Sequence, residues 1–193
     1  MNKRFFYLIL VFASTFLLQG CSYNSIVSND EAVKKAWADV EASYQRRGDL
    51  IGNLVETVKG EAKFEKETLV AVVDARSKAT SIQLKADEIT PENMQKFQEA
   101  QAQLSGALSR LLAVAEQYPT LKATQAFSDL MNELERTENR INIARRDYNA
   151  AVQTYNTQIR SFPANITAGL FKFKQREPFK ADPGTEKAPK VQF

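Results

Sequence analysis

The most regular alternation of apolar and polar positions lies between Pro119 and Pro163, in a segment (residues 121–162) without glycine or proline. Core-type side chains recur there at alternating steps of three and four residues, which places them on one face of a helix. They are Phe127, Leu130, Leu134, Thr137, Ile141, Ala144, Tyr148, Val152, Tyr155, Ile159 and Phe162. We predict one continuous helix over residues 121–162, roughly 60 Å long, whose apolar face must pack against other helices.

A second helical pattern runs from a cap within residues 28–30 (Ser-Asn-Asp) to Gly60. Its apolar positions are Val33, Trp37, Val40, Tyr44, Leu50, Ile51, Leu54, Val55 and Val58. Gly48 and Gly52 interrupt this pattern, and each weakens a helix by about 1 kcal/mol relative to alanine. We therefore expect either a soft point in this helix or the close approach of another one.

Two further helices are predicted between these segments. One covers residues 63–84, and the other starts with Thr90 as N-cap and Pro91 in the first helical position. The apolar positions of the latter are Met94, Phe97, Ala100, Leu104, Leu108, Leu111, Leu112 and Ala115. Four helices joined by short connections predict an all-α fold, an antiparallel up-and-down four-helix bundle with long helices over residues 30–179.

The ends of the chain differ in character from this region. After Pro163, Phe171, Phe173 and Phe179 could fold back on the bundle, whereas the polar, proline-spaced residues 180–193 predict a disordered tail. At the other end, Lys3 and Arg4 precede a short apolar run over residues 5–18, which is typical of a signal peptide and too short for a comfortable membrane span.

The apolar run ends in Leu18-Gln19-Gly20-Cys21, which resembles the lipobox of bacterial lipoproteins. By that resemblance, residues 1–20 are removed, Cys21 is acylated on its sulfur and new amine, and residues 21–29 form a tether. Two or three acyl chains hold a protein far more firmly to a bilayer than one. Ser22 after the cysteine favours sorting to the outer membrane (periplasmic face) if the envelope has two membranes. A plain signal peptide or signal anchor with an incidental cysteine is the alternative.

Composition narrows the chemistry that the chain can perform. Histidine is absent and Cys21 is the single cysteine, so the commonest acid–base group is missing. A disulfide framework, an iron–sulfur cluster and a thiolate zinc site are excluded within one chain. The net charge of +3 falls to +1 without Lys3 and Arg4, with 24 basic and 23 acidic side chains remaining. We expect no metal, no cofactor and no nucleic-acid partner.

Charged and amide residues cluster in the middle of the first and last predicted helices and form the candidate site. They are Arg46, Arg47, Asp49 and Asn53 on the first, and Glu138, Asn139, Arg140, Arg145, Arg146 and Asn149 on the last. The simplest interpretation is a polar layer that fixes how the two helices pair. The alternatives are a groove for a peptide, lipid headgroup or partner protein and, least favoured, a catalytic site, because arginine and asparagine transfer protons poorly.

Two smaller features have both a structural and a functional interpretation. Tyr148-Asn149 and Tyr155-Asn156 repeat at an interval of seven residues, with tyrosines that are either core residues or ligand contacts. The basic residues Arg145, Arg146, Lys172, Lys174 and Arg176 could form a surface for anionic lipid headgroups, or a solvated basic face.

Several blocks together resemble the LemA family, and they cover most of the chain in order. They are QRRGDLIGNLV (45–55), YPTLKA (118–123), TENRI (137–141) and ARRDYN (144–149). The resemblance implies an antiparallel four-helix bundle on a membrane anchor and no established enzymatic activity. The chain departs from the family where Gly52 replaces a common proline, and where a lipobox replaces the common transmembrane segment.

Together these observations favour a non-enzymatic, membrane-anchored envelope lipoprotein that acts as a helical scaffold or adaptor. Its expected partners are the membrane, through acyl chains on Cys21, and an envelope protein of unknown identity. The alternative is a module that binds a peptide or small anionic ligand at the polar layer between the first and last helices.

Overall fold

The computed structural model describes residues 3–61 and 64–180, with side chains described from residue 22 onward. These residues form six α-helices, one 3₁₀ turn and no β-strand. The elements are α1 (Lys3–Lys59), α2 (Lys66–Ser81), the 3₁₀ turn (Ala86–Glu88), α3 (Pro91–Ala115), α4 (Pro119–Lys122), α5 (Gln125–Arg160) and α6 (Ala164–Leu170). The all-α class is confirmed. The count of four helices is not, because the short helices α4 and α6 add to the four long ones.

The start of α3 confirms the sequence signal at Thr90 and Pro91. The Thr90 side chain accepts a hydrogen bond from the Asn93 backbone N–H at 3.2 Å, and Pro91 occupies the first helical position. This cap satisfies one of the N–H groups that a helix start leaves without an internal partner.

The continuous helix predicted over residues 121–162 is wrong at both ends. The chain forms the short helix α4, breaks at Thr124 and restarts as α5. The Thr124 hydroxyl donates to the Leu121 carbonyl at 2.7 Å and accepts from the Phe127 N–H at 3.4 Å, so it replaces helical backbone bonds at this point. At the other end α5 stops at Arg160, and Phe162, the last member of the predicted stripe, is 80% exposed.

The predicted tether is also helical in the described residues, and no cap occurs within residues 28–30. From Ser22 onward the chain is part of α1, because Ile26 is fully buried and Asn29 donates to Gln158 of α5 at 2.6 Å. The side chain of Cys21, with the predicted lipidation, lies outside the described side chains. The signal peptide over residues 1–20 likewise stays a prediction. Of the tail predicted to be disordered (residues 180–193), residues 181–193 lie outside the described residues, whereas Lys180 is described and its carbonyl accepts a hydrogen bond from Gln98 at 3.2 Å.

Helix α1 is the spine of the fold, and α5 packs along its length. At one end, apolar residues of α1 such as Leu54 pack with α2, α3, α4 and the start of α5. At the other end, Trp37 of α1 packs with the start of α3, the second half of α5 and the segment after α6. Within the described part of the chain, no helix has a stretch long and apolar enough to span a membrane.

The close approach expected at the two glycines of α1 is confirmed, and α1 is unbroken there. A Cβ added at Gly48 would lie 3.1 Å from Cγ2 of Thr80, and one at Gly52 would lie 3.1 Å from Cζ of Arg76. Arg76 also donates from Nε to the Gly48 carbonyl at 2.6 Å. The glycines therefore let α2 lie against α1 at short range.

Candidate functional site

Arg47 is the centre of a buried polar cluster that joins α1, α3 and α5. Arg47 is buried, with 4% of its surface exposed. Nη1 donates to Oε2 of Glu138 and to Oγ of Ser105, both at 3.2 Å, and Nη2 donates to Oε1 of Gln101. The guanidinium carbon lies 5.0 Å from the ring centre of Tyr44. Nε is buried and has no hydrogen-bond partner among the described residues, so one donor of this cation is unsatisfied.

The cluster differs in composition from the predicted polar layer. Of the ten candidate residues, the structure brings Arg47 and Glu138 together, and the remaining contacts come from Gln101 and Ser105 of α3. The sequence-based pairing considered the first and last helices alone and missed both. The signal was present, because Gln101 lies four residues after Phe97 on the buried face of α3.

The other candidate residues lie elsewhere. Arg46 is exposed and pairs with Glu133 at 3.3 Å, and Asp49 is exposed and accepts from Gln45 at 3.1 Å. Arg145 and Asn149 contact the C-terminal segment. Residues that are exposed on the outer faces of α1 and α5 are Asn53, Asn139, Arg140 and Arg146.

Three grooves in the described part of the chain border the Arg47 cluster. The largest of them, about 460 Å³, lies between α1, α3 and α5, and its polar lining consists of Arg47, Ser105, Ser109, Asn132, Glu135 and Glu138. The apolar wall consists of Ile51, Leu104, Leu108, Leu112, Met131 and Leu134. Leu108 and Leu112 are half-buried because they face this groove rather than a neighbouring helix. Its lining suits an apolar chain with one polar group, because the cation Arg47 is accompanied by the two carboxylates of Glu135 and Glu138.

The second groove, about 310 Å³, lies between α1, α2 and α3 and contains Glu41. Partial burial raises the pKa of Glu41, and the nearby indole of Trp37, whose N–H donates to the Leu84 carbonyl at 2.6 Å, acts in the opposite direction. Raised carboxyl pKa values occur at acid–base sites. The described lining of this groove contains no second carboxylate and no basic side chain, and its other titratable side chain is the Tyr44 phenol.

A second polar cluster forms around Arg176, in the segment after α6. Its guanidinium donates to Oδ1 of Asp30 from Nε at 3.0 Å and from Nη2 at 2.8 Å, and Nη2 also donates to Asp87 at 2.7 Å. Nη1 donates to the Ala86 carbonyl at 2.9 Å. The hydrogen bond from Arg176 lowers the pKa of Asp87. Burial acts to lower the pKa of Arg176, but the two aspartates outweigh it and raise that pKa.

The Tyr-Asn repeat of α5 holds this segment by its backbone. Asn156 donates to the Arg176 carbonyl and accepts from the Arg176 N–H, both at 2.8 Å. Asn149 binds Phe179 in the same way, at 3.2 and 2.8 Å. Seven helical residues span about 10.5 Å, and three extended residues span about 10 Å. The distance between Asn149 and Asn156 along α5 therefore matches the distance between Phe179 and Arg176 in the extended segment.

The tyrosines of the repeat are core residues. Tyr148 is fully buried, and its hydroxyl donates to the Glu177 carbonyl at 2.8 Å. Burial raises the pKa of Tyr148 and of Tyr155. These side chains therefore stay neutral and help to attach the segment 171–180 to α5.

The basic residues considered as a lipid surface do not form one patch. Arg176 is paired with two aspartates. The guanidinium carbon of Arg145 lies 5.1 Å from the ring centre of Phe179. Arg146 is exposed on α5, whereas Lys172 and Lys174 are exposed after α6. The interpretation based on all five residues is therefore not supported by their positions.

Comparison with known proteins agrees with the resemblance read from the sequence blocks. Magnetosome proteins MamQ 1 and MamQ 2 of Paramagnetospirillum magneticum are each 30% identical to the chain, over 91% of it and 70% of the relative. Protein LemA of Metamycoplasma hominis is 26% identical, over 75% of the chain and 63% of the relative. The sequence model of the LemA family matches residues 36–193 of the chain. The chain therefore belongs to the LemA family.

Proposed function

We propose that the chain is a non-enzymatic, membrane-anchored lipoprotein of the bacterial envelope that acts as a helical scaffold or adaptor for envelope proteins. The observation that carries this proposal is that α1 (Lys3–Lys59) is unbroken from Cys21, the predicted first residue of the processed chain, to Lys59. An anchor at Cys21 would be connected without a flexible joint to the helix that forms the spine. The body would then project from the membrane in a fixed orientation, in an antiparallel arrangement of its four long helices.

The chemistry of the buried polar clusters supports a structural role. Arg47 contacts groups on α3 and α5, and Arg176 connects the C-terminal segment to Asp30 and Asp87. In both cases an arginine joins elements that are far apart in sequence, which specifies how the helices pair. The relatives named as magnetosome proteins are identified by a cellular structure and not by a reaction, which also accords with a scaffold.

A second candidate function is a binding module, and the groove of about 460 Å³ favours it. The groove combines an apolar wall with a buried cation whose Nε has no partner among the described residues. A peptide with an apolar face would match this lining. For a small anionic ligand with an apolar chain, the exposed Glu138 carboxylate would have to rotate away to admit the anion next to Arg47.

Photo-crosslinking in cells distinguishes the two functions. A photoreactive residue placed at Arg140, exposed on α5, should give discrete adducts with envelope proteins, whereas one at Val70 on α2 serves as the comparison position. A scaffold predicts that the Arg140 adducts disappear with Cys21→Ser and persist with Arg47→Met. A module predicts that Arg47→Met abolishes them while the chain stays folded. Absence of any protein adduct at exposed positions of α5 would contradict the scaffold.

A further inference from the structure

The helix α6 and its flanks expose large apolar side chains at one end of the body. The exposed fractions are 80% for Phe162, 55% for Ile166, 68% for Leu170 and 55% for Phe171. We refer to these four residues, with Lys172 and Lys174, as the α6 surface. Contiguous apolar surface of this kind is uncommon on a soluble protein and marks a contact with another molecule or a membrane.

The geometry of α6 explains why these side chains point outward. Ile166 and Leu170 are four residues apart and therefore share one face of the helix. The opposite side, with Thr167 and Ala168, is buried where α6 packs on α1 and α5. The small residues Thr167 and Ala168 of α6 therefore contribute to the core, whereas its large residues Ile166 and Leu170 contribute little.

The position of the α6 surface relates it to the N-terminal end of the chain. The Tyr23 ring of α1 lies 4.7 Å from the ring of Phe171, centre to centre. Cys21 stands two residues before Tyr23 in the same helix, about 3 Å along its axis. The apolar run over residues 5–18 precedes it. The α6 surface is therefore next to the part of the chain that leads to the predicted anchor.

The charged residues of the chain segment that carries the α6 surface are of one sign. Residues 160–175 contain Arg160, Lys172 and Lys174 and no aspartate or glutamate, and all three basic residues are exposed. Apolar side chains that enter the acyl boundary, with lysines at headgroup level, are typical of segments that lie in the interface of an anionic membrane.

We propose that the α6 surface lies in the interfacial region of an anionic phospholipid bilayer and sets the orientation of the body on the membrane. This inference rests on the proposed function only in placing the chain at a membrane. With a lipid anchor at Cys21 and a second contact through α6, the body would be held at two points. Its long axis would then be fixed relative to the bilayer.

Fluorescence quenching by brominated lipid tests this proposal on the full chain, purified from membranes and reconstituted into vesicles of phosphatidylcholine and phosphatidylglycerol. Leu170→Trp places a reporter on the α6 surface, and Val70→Trp places one at an exposed apolar position of α2. The buried Trp37 is a background shared by both variants and is measured in the parent chain. Brominated acyl chains should quench the reporter at position 170 several-fold more than that at position 70, as expected for insertion to about 5–10 Å.

Further arms of the same experiment separate the alternatives. Replacing both lysines (Lys172→Glu with Lys174→Glu), or omitting phosphatidylglycerol, should reduce quenching at position 170. Equal quenching at positions 170 and 70 would overturn the proposal. The proposal would also be overturned if the tryptophan at position 170 were protected from aqueous acrylamide but not quenched by brominated lipid. That result would mean that a second copy of the chain covers the α6 surface. The intact mass of the same sample reports acylation of Cys21 independently, so failure of the anchor and failure of the α6 surface are distinguishable.

Discussion

Phe179→Ala should destabilise the fold strongly, although the residue follows the last helix. Phe179 is 6% exposed, and its ring centre lies 5.8 Å from Trp37, 5.5 Å from Tyr148 and 6.4 Å from Phe97. Replacing a buried phenylalanine by alanine removes these contacts and leaves a cavity, at a cost of about 3–5 kcal/mol. For a chain of this length each kcal/mol lowers Tm by about 2–4 °C, so we expect a decrease of roughly 6–20 °C.

The measurement is thermal unfolding of the detergent-solubilised chain, followed by far-ultraviolet circular dichroism. Phe162→Ala is the matched control, because Phe162 is 80% exposed and its truncation should change the unfolding free energy by less than about 0.5 kcal/mol. A Phe179→Ala protein that melts within about 2 °C of the parent would refute the packing of residues 171–180 against the helices.

Three further predictions concern the polar contacts. Asn156→Ala should lower the unfolding free energy by about 1–3 kcal/mol in urea titrations, because it leaves backbone groups of the C-terminal segment unpaired. Asn165 is exposed, and Asn165→Ala should change the unfolding free energy little. Equal effects of the two substitutions would contradict the attachment of this segment through Asn156. Arg47→Ala should cost about 1–3 kcal/mol, because it leaves the buried side-chain carbonyl of Gln101 without its donor. The exposed ion pair between Arg46 and Glu133 should contribute less than about 1 kcal/mol to the unfolding free energy. A larger loss of stability for Arg46→Ala than for Arg47→Ala would mean that the Arg47 cluster is not structural. Burial raises the folded-state pKa of Glu41, so the folded chain loses stability as pH rises from the unfolded pKa of about 4.3 through the folded value. Glu41→Gln should therefore have a higher Tm than the parent at pH 7, with the difference disappearing below about pH 4, and a pH-independent difference would contradict the assignment.

The sequence predicted those features that local chemistry determines. The start of α3 could be predicted from the adjacent residues Thr90 and Pro91 alone. Gly48 and Gly52 predicted either a soft point in α1 or the close approach of another helix, and the approach of α2 is what the structure shows. The stripe of α5 is buried from Phe127 to Ile159, apart from the half-buried Leu130. A period of about 3.6 residues is a property of one helix, and it can be read without knowledge of the partner.

Some features of the structure were not predicted. The break at Thr124 was missed for a local reason, because a threonine fits either a helix interior or a cap, and its hydrogen bonds with Leu121 and Phe127 lie within three residues of it. The sequence indicated that Phe179 could fold back on the bundle, and Phe179 is buried, but the role of Asn156 in holding this segment was not predicted. The role of Gln101 was missed because its side chain reaches Arg47 from α3, a helix that packs mainly on α2.

The intact mass of the chain purified from membranes, compared with that of a Cys21→Ser variant, shows whether Cys21 is a lipid anchor. We expect loss of residues 1–20 and addition of acyl chains in the parent, and neither change in the variant. An unprocessed parent chain with unmodified Cys21 would contradict the lipid anchor, and with it the proposal that α1 holds the helical body in a fixed orientation on the membrane.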